Sequence, residues 1–433
     1  MEGSKMISPL VKIILSAIAL TAVVFVLASS SVKHTGLQAV PREVSRHLPD
    51  YPFIKNRSNV LDYYGDTTAF NRFYNKLDEL IFSGKGRVNI VHMGGSHVQA
   101  GVLSNRMREN LFSLSDGIKG PRGFLFPFRL AHTNGPGNFK VRSTGDWEGC
   151  KNSHNKHHCN WGASGYTAST LDSNATVKLW SFDTDSVIYP FTRVKVFYDM
   201  VPESFSFQLD STMMVSDILI DSISGSVEYY LSQSYDTLNF QLIKTDSLQT
   251  SFTIQGLQLD DFNESGLVYT ALGVNGASVP SYLRCRLMEE QLHSIDPDLV
   301  IFGIGINDAY QPTSSFSVKQ FEMNYDSLIQ QILHVNPEAN FLFLTNNDSY
   351  YKRRSANRNA FGVREGMINL AKKYDGAVWD LFEIMGGLNS IRSWEKSGLA
   401  KKDKIHFTRA GYTLQADLMF LALRDAYGDY LAQ

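Results

Sequence analysis

Cysteine is scarce in this chain of 433 residues: only Cys150, Cys159 and Cys285 occur. So few thiols exclude a disulfide-dense scaffold. Stability has to come from packed apolar cores, which a hydrophobic content of 43% can supply. A charge excess of either sign is also missing. There are 41 Lys and Arg against 43 Asp and Glu, and the formal net charge of −2 excludes the basic footprint of a nucleic-acid-binding protein. No internal repeat or low-complexity stretch breaks the chain. At this length two folded domains are the default.

Long apolar runs are missing too, with one exception. Ile13 to Val32 carries no charged residue, and about 20 apolar residues suffice to cross a bilayer as a helix. Lys5 and Lys12 precede this run, which keeps the short N-terminus on the cytoplasmic side, although Lys33, Arg42 and Arg46 weaken the asymmetry. A cleaved signal peptide competes with this membrane anchor, with Leu27-Ala28-Ser29-Ser30 as its cleavage region. No cysteine follows closely enough for a lipid-modified anchor. Either reading of residues 1–32 places the body of the chain outside the cytoplasm, held at the membrane or released from it after cleavage. Residues 33–58, with Pro41, Pro49 and Pro52, read as a polar linker.

Beyond the linker, residues 59–131 read as the first part of an α/β domain. A helical pattern runs from Thr68 to Phe82, a strand begins at Val88, and a second helix runs from Val98 to Leu111. From about Val177 to Leu259 the apolar residues alternate instead. Phe205, Phe207 and Leu209 share one face, and Leu238 to Leu242 and Ser251 to Ile254 repeat the pattern. Short alternating strands argue for an antiparallel β-sandwich, assigned to residues 132–265. Residues 266–433 return to the α/β pattern. Leu299 to Ile304 and Phe341 to Leu344 are continuous apolar runs, Val318, Phe321, Tyr325, Leu328 and Ile332 recur at helical spacing, and Ala377 to Leu381 and Thr408 to Tyr427 read as a last strand and last helix.

Chemistry-bearing residues fall at the ends of these runs. Gly94-Gly95-Ser96-His97 sits where strand gives way to helix, so Ser96 is presented on a tight turn beside helix N-terminal amides. Gly273-Val274-Asn275-Gly276, Gly305-Ile306-Asn307-Asp308 and Asp403-Lys404-Ile405-His406 follow in order. Ester hydrolysis through an acyl-enzyme needs an activated hydroxyl, a base held in one tautomer, and donors for an oxyanion. Ser96 supplies the hydroxyl, His406 the base, and Asp403, three residues before it, the carboxylate that orients the imidazole. The backbone N–H groups of Ser96 and Gly276 and the side-chain amide of Asn307 are the candidate oxyanion donors. Ligand sites in open α/β sheets cluster on this same C-terminal edge of the strands.

Ser, Gly, Asn and His, one per block and in this order, resemble the SGNH branch of the GDSL hydrolases. The resemblance covers about Leu61 to Arg129 and Tyr269 to Gln433. It implies a flavodoxin-like α/β/α sandwich that deacylates carbohydrates, lipids or small esters with no metal and no cofactor. The family's Asp before the nucleophile is Gly95 here, which bears on the rigidity of the turn. An SGNH domain near a membrane, split after its first strand–helix unit by a β-sandwich, is similar to the peptidoglycan O-acetylesterases of bacterial envelopes. In those the insert resembles a carbohydrate-binding module. The implied partner is an acetylated polysaccharide, peptidoglycan first. An O-acetyltransferase with a sugar hydroxyl as acceptor is the alternative, and a catalytically weak glycan-binding envelope protein is a third reading.

Several other residues carry expectations. Cys150 and Cys159 bracket His154, His157 and His158. A local disulfide is preferred there over a metal site, whose paired ligands are more tightly spaced, and two free thiols are the third possibility. Trp180, Tyr229 and Tyr235 are candidates for stacking sugar rings, against plain packing. His92 reads as a core residue and Asp308 as a brace for its loop. Arg353, Arg354, Arg358 and Arg364 read as a solvated helix face before they read as a glycan contact.

Overall fold

Continuous apolar runs become parallel strands here, because a strand covered on both faces has no polar side to show. The computed structural model describes residues 48–182, 188–263 and 265–433. Across the central sheet the parallel strands are Gly266–Gly273, Arg87–Gly94, Leu299–Gly303, Asn340–Leu344 and Ala377–Trp379. Numbered along the chain this is 2-1-3-4-5, the flavodoxin-like order. Leu61–Tyr63 adds an antiparallel strand beside Ala377–Trp379. The helices Asn71–Ser83, Val102–Phe112 and Arg409–Leu431 pack together, and Val318–Val335 packs with Asn359–Lys373. Phe321, Tyr325, Leu328, Ile329 and Ile332 form the buried stripe of the 318–335 helix, and Ser317 caps it by accepting from the Gln320 N–H.

Two sequence expectations about this domain are corrected. The helix expected from Val98 to Leu111 is two helices, Ser96–Gln99 and Val102–Phe112. Gly101 breaks it at φ 76°, and a side chain there would also strike Pro136. Secondly, the end of the expected linker is part of the folded body. Ile54 is buried, the Lys55 N–H donates to Ile384 O at 2.8 Å, and the Phe53 ring lies 6.1 Å from that of Trp394. The expected membrane segment, Ile13 to Val32, and the linker as far as residue 47 lie outside the described residues. Among the described residues no helix is long and apolar enough to cross a membrane.

The alternating segment forms two antiparallel sheets. One runs Val215–Asp221, Ser226–Tyr235, Phe191–Tyr198, Phe252–Asp260, Tyr166–Thr170, Glu148–Lys151; the other runs Phe139–Ser143, Thr176–Ser181, Thr237–Ile243, Ser206–Leu209. Phe207 sits between them, 5.5 Å from the Phe240 ring and 5.7 Å from Phe252. The insert starts earlier than the alternation suggested, since Gly123–Leu125 pairs with Phe252–Asp260. It also shares its core with the α/β domain: Val91, Met93 and Leu272 belong to the same buried cluster as Phe124, Phe197 and Leu257. Polar ties cross the boundary as well. Arg87 grips Asp260 through two 2.9 Å bonds, and Gln291 joins Gln255 at 2.7 Å and the Ala163 N–H at 3.0 Å. Burial opposes ionisation of Asp260, but the Arg87 and Arg193 guanidinium groups outweigh it and hold the carboxyl below its usual range.

Candidate active site

Ser96 is the first residue of the short helix that leaves the strand Arg87–Gly94. Its Oγ lies 2.8 Å from His406 Nε2, although 310 residues separate the two. His406 comes from the loop before the last helix. Its Nδ1 is 2.9 Å from Asp403 Oδ2, and Asp403 Oδ1 accepts the backbone N–H groups of Ile405 and His406, each at 2.9 Å. Burial raises the pKa of Asp403, but these three donors overcome it and the carboxyl is held below its ordinary value. The carboxylate is thus fixed at both oxygens, and the imidazole it meets keeps its proton on Nδ1 with Nε2 facing the serine.

The second and third blocks are locked to each other and to the first. Asn307 donates its amide to Ala277 O at 2.8 Å, and Asp308 accepts the Val279 N–H at 3.1 Å, bracing the loop as expected. Gln99, three residues after Ser96, accepts the Asn275 N–H at 2.5 Å and the Tyr166 hydroxyl at 3.0 Å. Tyr282 donates towards both Gly94 O and Leu272 O, at 2.7 and 2.8 Å. Gly276 has φ 82°, a left-handed conformation that glycine adopts without a Cβ penalty. At Gly95, a Cβ would lie 3.1 Å from Asn307 Nδ2, so the missing side chain makes room for that amide.

Sequence reasoning did not foresee how His97 serves this site. It is buried and stacks on His406 with ring centroids 5.1 Å apart, while its Nδ1 is 3.1 Å from the Tyr412 hydroxyl. Burial, then the neighbouring His406, pushes its pKa down to about 3, so a neutral ring backs the second imidazole. His92 is a core residue as expected, fully buried and 2.8 Å from the Tyr269 hydroxyl.

Cys150 and Cys159 are joined in a disulfide, which removes the thiols that a metal reading needed. The loop between them also reaches the site. Ser153 Oγ donates to Asn275 O at 2.7 Å, and Arg284 donates to the carbonyls of Asn152, His154 and His157. Closing so short a loop contributes about 2–3 kcal/mol to stability. Replacing both cysteines by Ser is therefore expected to lower the melting temperature by a few degrees. It should also reduce kcat/KM on a small acetate ester by about 10-fold, because Asn275 loses its outer support. An unaltered kcat/KM in the folded variant separates this loop from the site.

A GDSL-like lipase/acylhydrolase family model matches residues 253–414, a span that holds Gly276, Asn307, Asp403 and His406. The α/β domain is similar to that of the SGNH hydrolases in this matched span and in fold. The span leaves out Ser96, which the insert separates from it in sequence and the sheet returns to it in space. Among solved structures, a peptidoglycan O-acetylesterase is similar in fold, at 18% identity and a TM-score of 0.67, covering 85% of this chain and 99% of that one. An acetyl xylan esterase (22% identity, TM-score 0.28) covers 36% of this chain and 80% of its own. A GDSL-like lipase from Bacteroides thetaiotaomicron (19%, TM-score 0.29) covers 36% and 76%. No curated protein matches the chain in sequence.

The candidate sugar-stacking residues of the insert fare differently from one another. Tyr229 is buried beside Phe207, so it packs the sandwich rather than facing a ligand. The Tyr235 hydroxyl donates to Thr212 O and accepts the Met214 N–H, which makes it a local brace. Trp180 is half-buried between Arg142 and Lys178, whose cationic ends lie 5.4 and 5.0 Å from its ring. The basic stretch is divided as well. Arg364 pairs with Asp380 at 2.5 Å, whereas Arg353 and Arg354 stand on a hairpin turn, not on a helix.

Proposed function

We propose that this acylhydrolase removes O-acetyl groups from an envelope polysaccharide, peptidoglycan first, through an acyl-enzyme on Ser96. Ser96 Oγ attacks the ester carbonyl while His406 Nε2 takes its proton. Asp403 keeps the imidazole oriented and stabilises its positive charge. The oxyanion of the tetrahedral intermediate meets the N–H groups of Ser96 and Gly276 and the Asn307 amide. One N–H of that amide is spent on Ala277 O, which aims the other. Collapse breaks the C–O bond to the sugar, and His406 returns the proton to the departing hydroxyl. Water, activated by the same histidine, then releases acetate and restores Ser96.

One observation carries the reading: serine, imidazole and carboxylate, from two distant blocks, stand in line at 2.8 and 2.9 Å. The choice of polymer is supported by the shared two-part layout with the peptidoglycan O-acetylesterase, whose 85% coverage includes the insert. In this proposal the apolar segment Ile13 to Val32 holds the enzyme at the membrane, facing the envelope. Acetate release from O-acetylated peptidoglycan and from acetylated xylan tests it. The expected result is at least about 10-fold higher kcat/KM on peptidoglycan. Preference for xylan reassigns the polymer, and transfer of acetyl to a glycan acceptor without free acetate makes the protein a transferase.

A further inference from the structure

The ester chemistry does not absorb the basic stretch at Arg353 and Arg354, and its backbone is unusual. Tyr350–Tyr351 pairs with Ser355–Ala356, and the Arg354 N–H donates to Tyr351 O at 3.1 Å across the turn. The two central residues, Lys352 and Arg353, have φ of 50° and 59°. Two successive left-handed residues make a type I′ turn, which prefers Asn-Gly or Gly-Gly because a side chain there costs about 1 kcal/mol or more per residue. Here the chain places two long cations at that point. Keeping them against that cost points to a use for their side chains outside the fold.

The hairpin is tied to both edges of the site. Its Lys352 N–H donates to the Tyr310 hydroxyl at 3.0 Å, three residues beyond Asn307. Its Tyr350 N–H donates to Lys404 O at 2.9 Å, two residues before His406. Tyr310, 39% exposed, meets the Tyr351 ring edge-on at 5.2 Å, and the Lys404 ammonium lies 4.9 Å over Tyr350. Lys352, Arg353 and Arg354 therefore share one rim with Lys401, Lys402 and Lys404, in a chain whose net charge is −2. Among the described residues none of these six forms an ion pair, and the one carboxylate between them, Asp403, is engaged with His406.

We propose that this rim is an anion subsite that holds a carboxylate or phosphate of the acylated polysaccharide beside its ester, with the exposed Tyr310 ring, backed by the half-buried Tyr351, as a platform for the adjoining sugar. The subsite rests on the acyl chemistry proposed for Ser96 and gives it a substrate class: acetylated glycans that are themselves anionic. Guanidinium and ammonium groups clustered without carboxylate partners, two of them resting over tyrosine rings, attract such a group from a distance and orient it on arrival.

The test uses the double variant Lys352→Asn, Arg353→Gly, which removes both charges and installs the pair that the turn prefers, so the fold is kept or stabilised. The ratio of kcat/KM on O-acetylated peptidoglycan to that on a small chromogenic acetate ester is expected to fall about 10-fold or more, chiefly through KM. The rise of the wild-type KM between about 50 and 200 mM salt should flatten in the variant. Arg354→Gln, outside the left-handed positions, should give a smaller drop of the same kind. Amidating the polymer's carboxyl groups removes the effect if the anion is a carboxylate. Stripping attached phosphate polymers removes it if the anion is a phosphate.

An unchanged ratio in both variants, or an equal drop on neutral acetylated xylan, overturns the subsite. Vesicle binding lost in the variants with the polymer ratio intact does the same, and assigns the cations to a membrane surface. A wild-type protein inert on the small ester instead overturns the Ser96 chemistry beneath it.

Discussion

Replacing Ser96 by Ala is expected to lower kcat on a chromogenic acetate ester by on the order of 10⁵-fold or more, and His406→Ala by a similar factor. The two groups act as one unit, because a neutral serine hydroxyl at 2.8 Å from Nε2 is nucleophilic only as the imidazole takes its proton. Removing either one leaves the oxyanion donors and substrate binding, so a small residual rate persists in both. Asp403→Asn should cost less, about 10³- to 10⁴-fold, because it disturbs the tautomer and orientation of His406 without removing it. The graded series is the informative result. Near-normal turnover by Ser96→Ala, in a variant with unaltered melting behaviour, moves the activity to another residue. Equal losses for Asp403→Asn and Ser96→Ala would mean that the carboxylate also holds the loop of residues 403–406 in place, through its two backbone bonds to Ile405 and His406.

Excising residues 120–265 and joining the ends with a short linker is expected to abolish cooperative folding, not merely polymer recognition. The insert shares a buried cluster with the central sheet, so its removal bares Met93, Leu272 and Val274 to water. It also takes away Asp260 from Arg87 and Tyr166 from Gln99, and Gln99 is the residue that holds the Asn275 N–H beside the site. Breaking one side of a half-buried bidentate ion pair is costly because the remaining charge keeps its desolvation. Near-UV circular dichroism and a thermal scan read this directly: loss of the aromatic signal and of a sharp transition is the expected outcome. A deletion variant that melts sharply and still cleaves the small ester would show that the insert is an independent unit after all.

That second expectation reverses what the sequence pattern invites. Alternation at Phe205, Phe207 and Leu209 reports that each strand has a buried and an open face, but not which neighbour covers the buried one. Period-two patterning is local. The sharing of one core between sheet and insert is a long-range packing fact, visible only when Phe124 and Phe197 are seen beside Met93. The stacking candidates illustrate the same gap. Tyr229 looked available as an aromatic on an alternating strand, yet the second sheet covers it.

By itself the sequence determined the α/β class, the interruption by a β-sandwich, and the four blocks that carry Ser96, Gly276, Asn307 and His406. Each of these is written in short-range signals: apolar runs for doubly covered strands, turns at their ends, and a carboxylate three residues before a histidine. Tertiary structure alone decided that Ser96 and His406 meet across 310 residues, that the disulfide loop supports Asn275, and that His97 backs His406. It also decided that the basic stretch is divided, with Arg353 and Arg354 on a strained hairpin and Arg364 on the following helix. The reason is physical. Periodicity fixes which face of an element is buried, whereas the 2-1-3-4-5 order of the sheet fixes which ends become neighbours, and that order depends on crossovers that no local pattern encodes.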